Sequence, residues 1–288
     1  MTKAKLLLVG NCVLDEVWEL ENFPQQDEEV RVLGMTQLLG GNACNSAQIL
    51  AKLGNTVELM SSFAEDSTAD WMLRELSKLG VSTDYSVRHA GCSTAKSSIW
   101  LNTQNGSRTI VHYRQLPELS LTDLERVSVD QYQWIHFEGR NIESLFSYIP
   151  ELKNLSCPIS LEIEKDRKGI EQLLPFVNTV IISSAYLKII NISAEQCLQK
   201  FRQLNSKLNI VCTLGSAGLL ASDESGKLIR IAAEPVDKVV DTVGAGDCFI
   251  AGLIHRLHQQ HDFKSALIYA NRLAAQKIQF KGLKLNDD

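Results

Sequence analysis

The sequence predicts an α/β protein with a mostly parallel central sheet, helices on both of its faces, and a small antiparallel β-sheet beside it. Short, continuously apolar runs alternate with amphipathic stretches along most of the 288 residues, as buried parallel strands and their covering helices do. Segments 17–39 and 95–114 interrupt this order with alternating apolar and polar residues, the pattern of strands exposed on one face. We therefore expect one domain over residues 1–288, with lid segments at about 15–40 and 93–115.

The first half of the chain carries a clear signal for each element. We expect strands over 5–10 and 56–63, and helices over 43–53 and 68–80 that stop at Gly54 and Gly80. In the second interrupting segment, Asn105-Gly106 lies between two alternating runs, which is the strongest short-range signal for a β-hairpin. The two interrupting segments therefore predict the small sheet.

The alternation of strands and helices resumes in the second half. We expect strands over 134–139, 158–164, 179–184 and 208–215, a hairpin of 219–222 with 227–233, and helices over 141–152, 193–204, 245–259 and 264–279. Ser193 and Gln196 form a capping-box pattern at the start of one of these helices. Ligands of such sheets bind where strand carboxyl ends lead into helices, so functional residues are expected at that edge or in the small sheet.

The composition disfavours several classes of function. The net charge is -5 at pH 7 and no cluster of Lys and Arg is present, so nucleic acid is not an expected partner. The seven cysteines are scattered without a C-x-x-C pair, which argues against a disulfide framework or a zinc site. The first apolar run ends after Val9, and no run approaches the ~20 apolar residues of a membrane helix. We expect a cytoplasmic protein that does not bind membranes.

Residues 241–247, DTVGAGD, lead into a helix that begins with small and apolar residues. Asp247 in its first turn can simply favour the helix dipole. It can also act as the general base for a substrate hydroxyl, while the N–H groups of Ala245, Gly246 and Asp247 hold the charge on a transferring phosphoryl group. A dinucleotide site is disfavoured, because the third glycine of G-x-G-x-x-G is missing and the motif lies far from the first strand.

Residues 40–47, GGNACNSA, begin another helix with two asparagines three positions apart. Asn42 and Asn45 suit a polyol, because they share a face and each amide can donate and accept hydrogen bonds, but they can equally cap the helix. Asp15, after the first strand, and Asp27, in a polar segment, can bind sugar hydroxyls or be solvated surface acids.

The stretch TLGSAG, residues 213–218, follows a predicted strand and offers two glycines together with Thr213 and Ser216. By itself it can cradle a nucleotide through backbone contacts or form an ordinary turn. Its pattern does not decide between the two.

Taken together, these motifs resemble those of the ribokinase-like (PfkB) family of carbohydrate kinases. The resemblance rests on GGNACNSAQILAKLG, TLGSAG and DTVGAGDCFIAGL, whose order and spacing span nearly the whole chain. Within the family, FPQQDEEVR, NGSRTIV, WIHFEGRN and SLEIEKDR are similar to the ketohexokinase subgroup. The family's N-x-x-E motif is replaced by SSAYLK, as in that subgroup, which leaves the Mg²⁺ ligands undefined.

The resemblance implies an ATP- and Mg²⁺-dependent kinase with a role for each motif. Asp247 takes the proton of the attacking hydroxyl, beside an anion hole formed by Gly244, Ala245 and Gly246. The sugar hydroxyls are held by Asp15, Asp27, Gly41, Asn42 and Asn45, and Arg108 reaches the sugar or the phosphate from the small sheet. The ATP site is lined by Thr213, Gly215, Ser216 and Gly218, with Asn271 beside the adenine, and Asp241 helps to hold a monovalent cation such as K⁺.

The resemblance also implies a substrate and an assembly. The subgroup likeness implies transfer of the γ-phosphate of ATP to a ketohexose, converting fructose to fructose 1-phosphate. Another sugar or nucleoside kinase of the family and a non-catalytic sugar-binding homologue remain alternatives. The small sheet is expected to act as a lid that excludes water and brings Asp27 and Arg108 to the substrate. Its exposed apolar face should be covered by the lid of a second copy, which gives a homodimer.

Overall fold

The computed structural model describes residues 5–154 and 156–285. This part of the chain forms the strands β1 (Lys5–Val9), β2 (Val13–Leu20), β3 (Gly34–Gly40), β4 (Thr56–Met60), β5 (Ser62–Ala64), β6 (Val81–Ser82), β7 (Val87–His89), β8 (Lys96–Asn102), β9 (Arg108–Tyr113), β10 (Tyr132–Glu138), β11 (Ile159–Ile163), β12 (Thr179–Ile182), β13 (Asn209–Thr213), β14 (Leu219–Ser222) and β15 (Leu228–Ile231). Its α-helices are α1 (Asn42–Lys52), α2 (Ser67–Lys78), α3 (Leu121–Leu124), α4 (Ile142–Tyr148), α5 (Ser184–Ile189), α6 (Ala194–Leu204), α7 (Ala245–His258) and α8 (Phe263–Lys277).

Nine of these strands form the central sheet, in the spatial order β15-β14-β13-β12-β11-β10-β1-β4-β6. All pairings from β6 to β13 are parallel. At the other edge β14 and β15 add an antiparallel hairpin. The prediction of a mostly parallel central sheet is therefore confirmed.

Helices cover both faces of this sheet, as predicted. Along β1, Leu6 and Leu8 pack into one hydrophobic cluster with residues of α1, α7 and α8, whereas Leu7 and Val9 pack into a second cluster with residues of α4 and α6. The division follows from the alternation of side chains along a strand. Because both faces are covered, the carboxyl ends of the parallel strands are the edge at which side chains can meet a ligand.

The predicted small sheet has four strands, in the order β3-β2-β8-β9. The β2–β3 and β8–β9 pairs are antiparallel, and β8 turns into β9 around Asn105-Gly106, where Gly106 has a φ of 71°. The central pair, β2–β8, is parallel. Both of these strands enter the small sheet from the central domain, and an alternating pattern does not reveal the direction of pairing.

The outer strands of the small sheet are strongly exposed. All six residues of β9 are exposed, including Ile110 (52%) and Val111 (56%), and so are Met35 and Leu38 of β3. An apolar surface of this kind suits an interaction site. That the lid of a second copy covers it stays a prediction.

The ends of most elements shift by a few residues from the predicted bounds, and two short α-helices, α3 and α5, were missed. The predicted helix 141–152 is α4 followed by a 3₁₀ helix at Ile149–Asn154, because Pro150 cannot donate the next helical hydrogen bond. The capping box of Ser193 with Gln196 is confirmed. Helix α5 lies where the sequence indicated only the end of a strand. Among the residues that the structure describes, no helix is long and apolar enough to cross a membrane.

Candidate active site

Asp247 lies in the first turn of α7, which follows Gly244 and has no side-chain cap. It is 7% exposed, and its Oδ2 accepts a 2.7 Å hydrogen bond from Nδ2 of Asn45 on α1. Ser46 Oγ donates to the backbone carbonyl of Asp247 over 3.2 Å. The two helix-starting motifs therefore meet, although they lie about 200 residues apart in sequence, and α1 fixes the position of the carboxylate.

Burial raises the pKa of Asp247 to about 7. The hydrogen bond from Asn45 favours the carboxylate and opposes this shift, whereas the charges of Glu138, Glu164 and Asp15 add to it. A carboxyl group whose pKa lies near neutrality suits a general base, because a substantial fraction is ionised at neutral pH and the carboxylate is basic enough to take a proton. A residue that only favours the helix dipole needs neither this burial nor these neighbours.

The first turn of α7 also presents backbone donors. The N–H of Ala245 donates to the carbonyl of Thr242 over 3.3 Å. Within residues 5–154 and 156–285, the N–H groups of Gly246 and Asp247 donate no hydrogen bond. Two N–H groups at a helix N-terminus favour an anion. Of the three N–H groups singled out in the sequence, those of Gly246 and Asp247 are therefore available to an anion, whereas the turn itself uses that of Ala245.

The start of α1 differs from the capping arrangement that the sequence also allowed. Its N-cap is Gly41, and no side chain caps the helix. Asn42 instead donates from Nδ2 to Glu162 Oε1 at 2.9 Å and to Glu164 Oε2 at 3.3 Å. Asn42 therefore binds two carboxylates and Asn45 binds a third, that of Asp247.

Asp15 lies in β2, at the junction between the small sheet and the central sheet. A Cβ atom at Gly40 would lie 2.1 Å from Asp15 Oδ2, so the carboxylate packs directly against the glycine pair before α1. Burial raises the pKa of Asp15 to about 6, and a hydrogen bond with Ser97 opposes the shift. Its charge contributes to the raised pKa of Asp247, so the two carboxyl groups lie near each other.

Three glutamates that the sequence analysis did not assign lie at the same sheet edge. Glu138 ends β10, and its Oε2 accepts a 2.7 Å hydrogen bond from the backbone N–H of Asn11. Glu162 belongs to β11 and Glu164 follows it, and both accept from Asn42. A carboxylate within or just after an apolar strand was the available signal, but it becomes informative only when β10 is known to lie next to β1 and β11 next to β10.

Glu162 is one of the buried carboxyl groups, with 7% of its surface exposed. Burial raises its pKa well above the usual value, and the charges of Asp247, Glu138 and Glu164 raise it further. Its Oε2 is buried without a hydrogen-bond partner. The described residues contain no group of three or more His, Cys, Asp or Glu side chains arranged to hold a metal ion. Mg²⁺ bound to a nucleotide needs only one or two carboxylates, so Glu162 and Glu164 are a suitable pair.

A charged network behind the site holds Glu138. Arg140 lies 3.5 Å from Glu138 and forms an ion pair with Glu118. Arg114 lies 3.5 Å from Glu118 and donates a hydrogen bond to Oδ1 of Asn11, whose backbone N–H binds Glu138. Glu138 is therefore held by Arg140 directly and is linked to Arg114 through Asn11.

The residues predicted to bind the nucleotide lie around the end of β13. Gly218 packs against the backbone of β15, since a Cβ atom there would lie 2.1 Å from the carbonyl oxygen of Ile231 and 2.6 Å from the carbonyl carbon of Ala232. Asn271 of α8 donates to the carbonyl oxygen of Ala232 over 2.9 Å. Gly218 and Asn271 are therefore close neighbours, as a shared nucleotide site requires.

The remaining residues of this loop are more open. Thr213 donates from Oγ1 to the carbonyl of Ile182 over 3.2 Å, so its hydroxyl links the end of β13 to the end of β12. Gly215 and Ser216 are exposed in a short 3₁₀ turn. Their backbone is accessible to a ligand at the carboxyl end of β13.

The two predicted lid residues differ in position. Arg108 at the start of β9 donates from Nη1 to Oγ1 of Thr242 over 3.4 Å, so it reaches the DTVGAGD loop. Asp27 is exposed in the loop between β2 and β3, with a φ of 61°. No contact among the described residues joins it to Asp247 or Asn45, so this structure does not bring Asp27 to the site.

Asp241, expected to hold a monovalent cation, faces an ammonium group instead. Nζ of Lys277 lies 2.9 Å from Asp241 Oδ2 and 2.7 Å from its backbone carbonyl oxygen. The sequence analysis did not single out Lys277, because a lysine near the end of an amphipathic helix usually points to solvent.

Comparison with known proteins identifies related chains over the whole length. The family profile of the pfkB family carbohydrate kinases matches residues 3–287. Ketohexokinase of Mus musculus is 31% identical, covering 98% of this chain and 98% of its own length. A nucleoside kinase of Methanocaldococcus jannaschii is 24% identical, covering 98% and 93%. The structure of Arabidopsis thaliana ribokinase complexed with ribose and ATP has the same fold, with a TM-score of 0.83, 24% identity, and coverage of 98% of this chain and 94% of that one.

Proposed function

Because the chain belongs to the pfkB family of carbohydrate kinases and is an ATP-dependent sugar kinase, we propose that it phosphorylates a ketohexose, converting fructose to fructose 1-phosphate. The observation that carries the mechanism is the Asp247–Asn45 pair: a buried carboxylate at a helix N-terminus, beside two N–H groups that no hydrogen bond among the described residues uses. The similarity to ketohexokinase supports the choice of sugar, while the similarity to a nucleoside kinase makes that choice the first thing to test.

Asp247 is the group that accepts the proton of the attacking hydroxyl. As the proton passes to its carboxylate, the sugar oxygen forms a bond to the γ-phosphorus and the bond to the β–γ bridging oxygen breaks. ADP leaves with that electron pair, and the proton later passes from Asp247 to solvent. A pKa of about 7 lets the carboxyl group both accept a proton from the sugar and release it to solvent.

Charge on the transferring phosphoryl group is met by donors that are already in place. The N–H groups of Gly246 and Asp247 point from the N-terminus of α7, and Arg108 approaches from the small sheet. Glu162 and Glu164 would hold Mg²⁺, directly or through water. When bound, Mg²⁺ neutralises charge on the β- and γ-phosphate oxygens.

Sugar hydroxyls are proposed to bind along the start of α1. Asp15, Gly41, Asn42 and Asn45 lie there, and the amide of Asn45 also orients Asp247. Asp27 would reach the sugar only if the loop between β2 and β3 moved inward, as a lid does on closing. ATP would lie at the end of β13, against Thr213, Gly215, Ser216 and Gly218, with its adenine near Asn271.

The substrate is tested by measuring ADP release over fructose, ribose, 2-deoxyribose, adenosine and glucose. We expect kcat/KM for fructose to exceed that for each of the others by at least ~10-fold, because hydroxyl positions are read by hydrogen bonds. Phosphorus NMR of the product should show phosphate on O1. A faster reaction with ribose or adenosine would overturn the ketohexose proposal. ADP release no faster than that of the Asp247→Asn variant on every compound would favour the non-catalytic homologue.

Replacement of Arg108 tests the lid. Arg108→Ala is expected to lower kcat by ~10²-fold, the order found when a charge-stabilising donor is removed. The Tm should hardly change, because β9 is exposed and the contact of Arg108 with Thr242 is 3.4 Å long. Arg74→Ala, at an exposed position on α2, is the control and should retain full activity. A large fall in Tm with Arg108→Ala would assign this arginine a structural role.

A further inference from the structure

Lys277, the last residue of α8, has a fully buried side chain, with 0% exposed. Lysine is almost never buried to this degree unless its charge is paired. Its ammonium group lies 2.9 Å from Asp241 Oδ2 and 2.7 Å from the carbonyl oxygen of the same residue. Two negatively polarised oxygen atoms of one residue therefore bind one cationic group in the interior.

Asp241 joins this lysine to the loop before α7. Its Oδ1 accepts from the N–H of Val243 at 2.9 Å, and its Oδ2 accepts from the N–H of Gly282 at 3.0 Å. The N–H groups of Val240 and Asp241 both donate to the carbonyl of Ile278. The segment that ends in Gly246 and Asp247 is thus fastened to the end of α8, with the ammonium group at the centre of the junction.

The charge of Lys277 reaches the first turn of α7. It lowers the pKa of Cys248, the residue after Asp247, against the larger effect of burial, which raises it. A positive charge close to the residue after Asp247 adds to the helix dipole near the proposed position of the phosphoryl group.

These contacts do not fit a monovalent metal ion at Asp241. Such an ion needs the carboxylate and nearby carbonyl oxygens, and the ammonium group already occupies a carboxylate oxygen and the carbonyl oxygen of Asp241. The ammonium carries the same unit charge and can donate three hydrogen bonds. We propose that Lys277 is a built-in substitute for the monovalent cation, so that this kinase works without K⁺. Its ammonium group fastens the loop 241–247 and supplies a positive charge close to the anion hole.

The first test uses the unmodified protein and varies only the cation. The rate with fructose and the Tm without substrate are measured in KCl and in tetramethylammonium chloride at equal ionic strength. We expect the same rate and the same Tm in both salts. A saturable, several-fold stimulation of the rate by K⁺, or a Tm raised by K⁺ alone, would overturn the proposal. The Tm arm needs no sugar, so it stays informative if fructose proves to be the wrong substrate.

The second test removes the ammonium group. In tetramethylammonium chloride, Lys277→Ala should lower the Tm by about 10 °C, because Asp241 keeps a partly buried, unpaired charge, and should lower kcat at least ~10-fold. The space left by the side chain admits a cation. Added K⁺ or NH₄⁺ should therefore restore part of the lost Tm and part of the lost kcat, and both effects should saturate. Lys277→Met fills that space and should not respond. Full activity of both variants without K⁺ would overturn the proposal.

Two further variants separate the charge from the packing. Asp241→Asn with Lys277→Met removes both charges, so it should regain most of the lost Tm while kcat stays low. Recovery of kcat together with Tm would reduce Lys277 to a structural role and overturn the proposal. Lys200→Met removes an exposed lysine that pairs with Glu171, and it should change neither quantity. If Lys277→Ala fails to fold, the cation test on the unmodified protein and the measurements on the double variant still test whether Lys277 replaces the cation.

Discussion

Asp247→Asn is expected to lower kcat ~10²–10⁴-fold, the range over which general-base catalysis contributes, and to leave the protein folded. The geometry makes this a specific test, because the amide oxygen of the substituted side chain can still accept the hydrogen bond that Asn45 donates over 2.7 Å to Oδ2 of Asp247. The N–H donors of the first turn also remain. The change therefore removes the ability to take a proton and little else.

The same variant should be more stable than the unmodified protein above neutral pH. The pKa of Asp247 is raised from 3.8 to about 7 in the folded state, mainly by burial. Between these two pH values the folded protein retains a proton that the unfolded chain has lost, so its stability falls as the pH rises through the window. Above pH 7 both states are ionised and the full cost of the buried carboxylate applies. Asparagine carries no such cost.

The measurement is the Tm of both proteins at a series of pH values, together with kcat. The Tm of Asp247→Asn minus that of the unmodified protein should grow from pH 5 to pH 8, as the linkage requires. Asp70→Asn, at a half-exposed carboxylate of α2, is the control and should show no such trend. A lower Tm for Asp247→Asn at pH 8 would mean that the carboxylate stabilises the fold, and an unchanged kcat would remove Asp247 from the chemistry.

The pH profile of the unmodified enzyme should follow the same group. Since the base must be ionised, kcat/KM should rise with pH and level off above an apparent pKa near 7. Burial also raises the pKa of Asp15, to about 6, and that of Glu162, so the acid limb reports the cluster of carboxyl groups as a whole. A profile that is flat from pH 5 to pH 8 would contradict a base with this environment.

The sequence could predict the parts of the site that local motifs carry. Asp247 follows a glycine-rich turn, and Asn45 begins a helix, so both could be singled out from neighbouring residues alone. Their direct contact depends on the packing of α1 beside α7, which the sequence analysis did not predict. The alternation of strands and helices was enough to predict the central sheet, because the spacing of apolar residues differs between a strand and a helix.

The parts that the sequence could not predict depend on contacts between distant segments. Glu138 and Glu162 become site residues because β10 lies next to β1 and β11 next to β10, which no local pattern records. Lys277 was overlooked because its partner, Asp241, lies 36 residues away and reverses the usual preference of lysine for solvent. The parallel pairing of β2 with β8 was missed for a related reason: alternation gives the exposed face of a strand but not its direction.

Gly41→Ala is expected to destabilise the fold by at least ~3 kcal/mol and to abolish most of the activity. Gly41 has a φ of 98° and a ψ of 139°, a region that is open almost only to glycine. A Cβ atom there would also lie 2.4 Å from the carbonyl oxygen of Asn11. That carbonyl accepts the N–H of Cys44 in the first turn of α1. The new methyl group must therefore displace the start of α1.

The matched control lies just beyond the other end of the same helix. Gly54 also has a positive φ, 81°, but a Cβ atom at this position would meet no atom within 4 Å. Gly54→Ala should therefore cost only the conformational term, ~1 kcal/mol, and leave kcat unchanged. Urea denaturation and kcat measured on both variants separate backbone strain from close approach. Equal losses of stability would show that strain alone explains Gly41. A much larger loss at Gly41, with a fall in kcat, would mean that the contact with Asn11 sets the position of α1, and through Asn45 the position of the base.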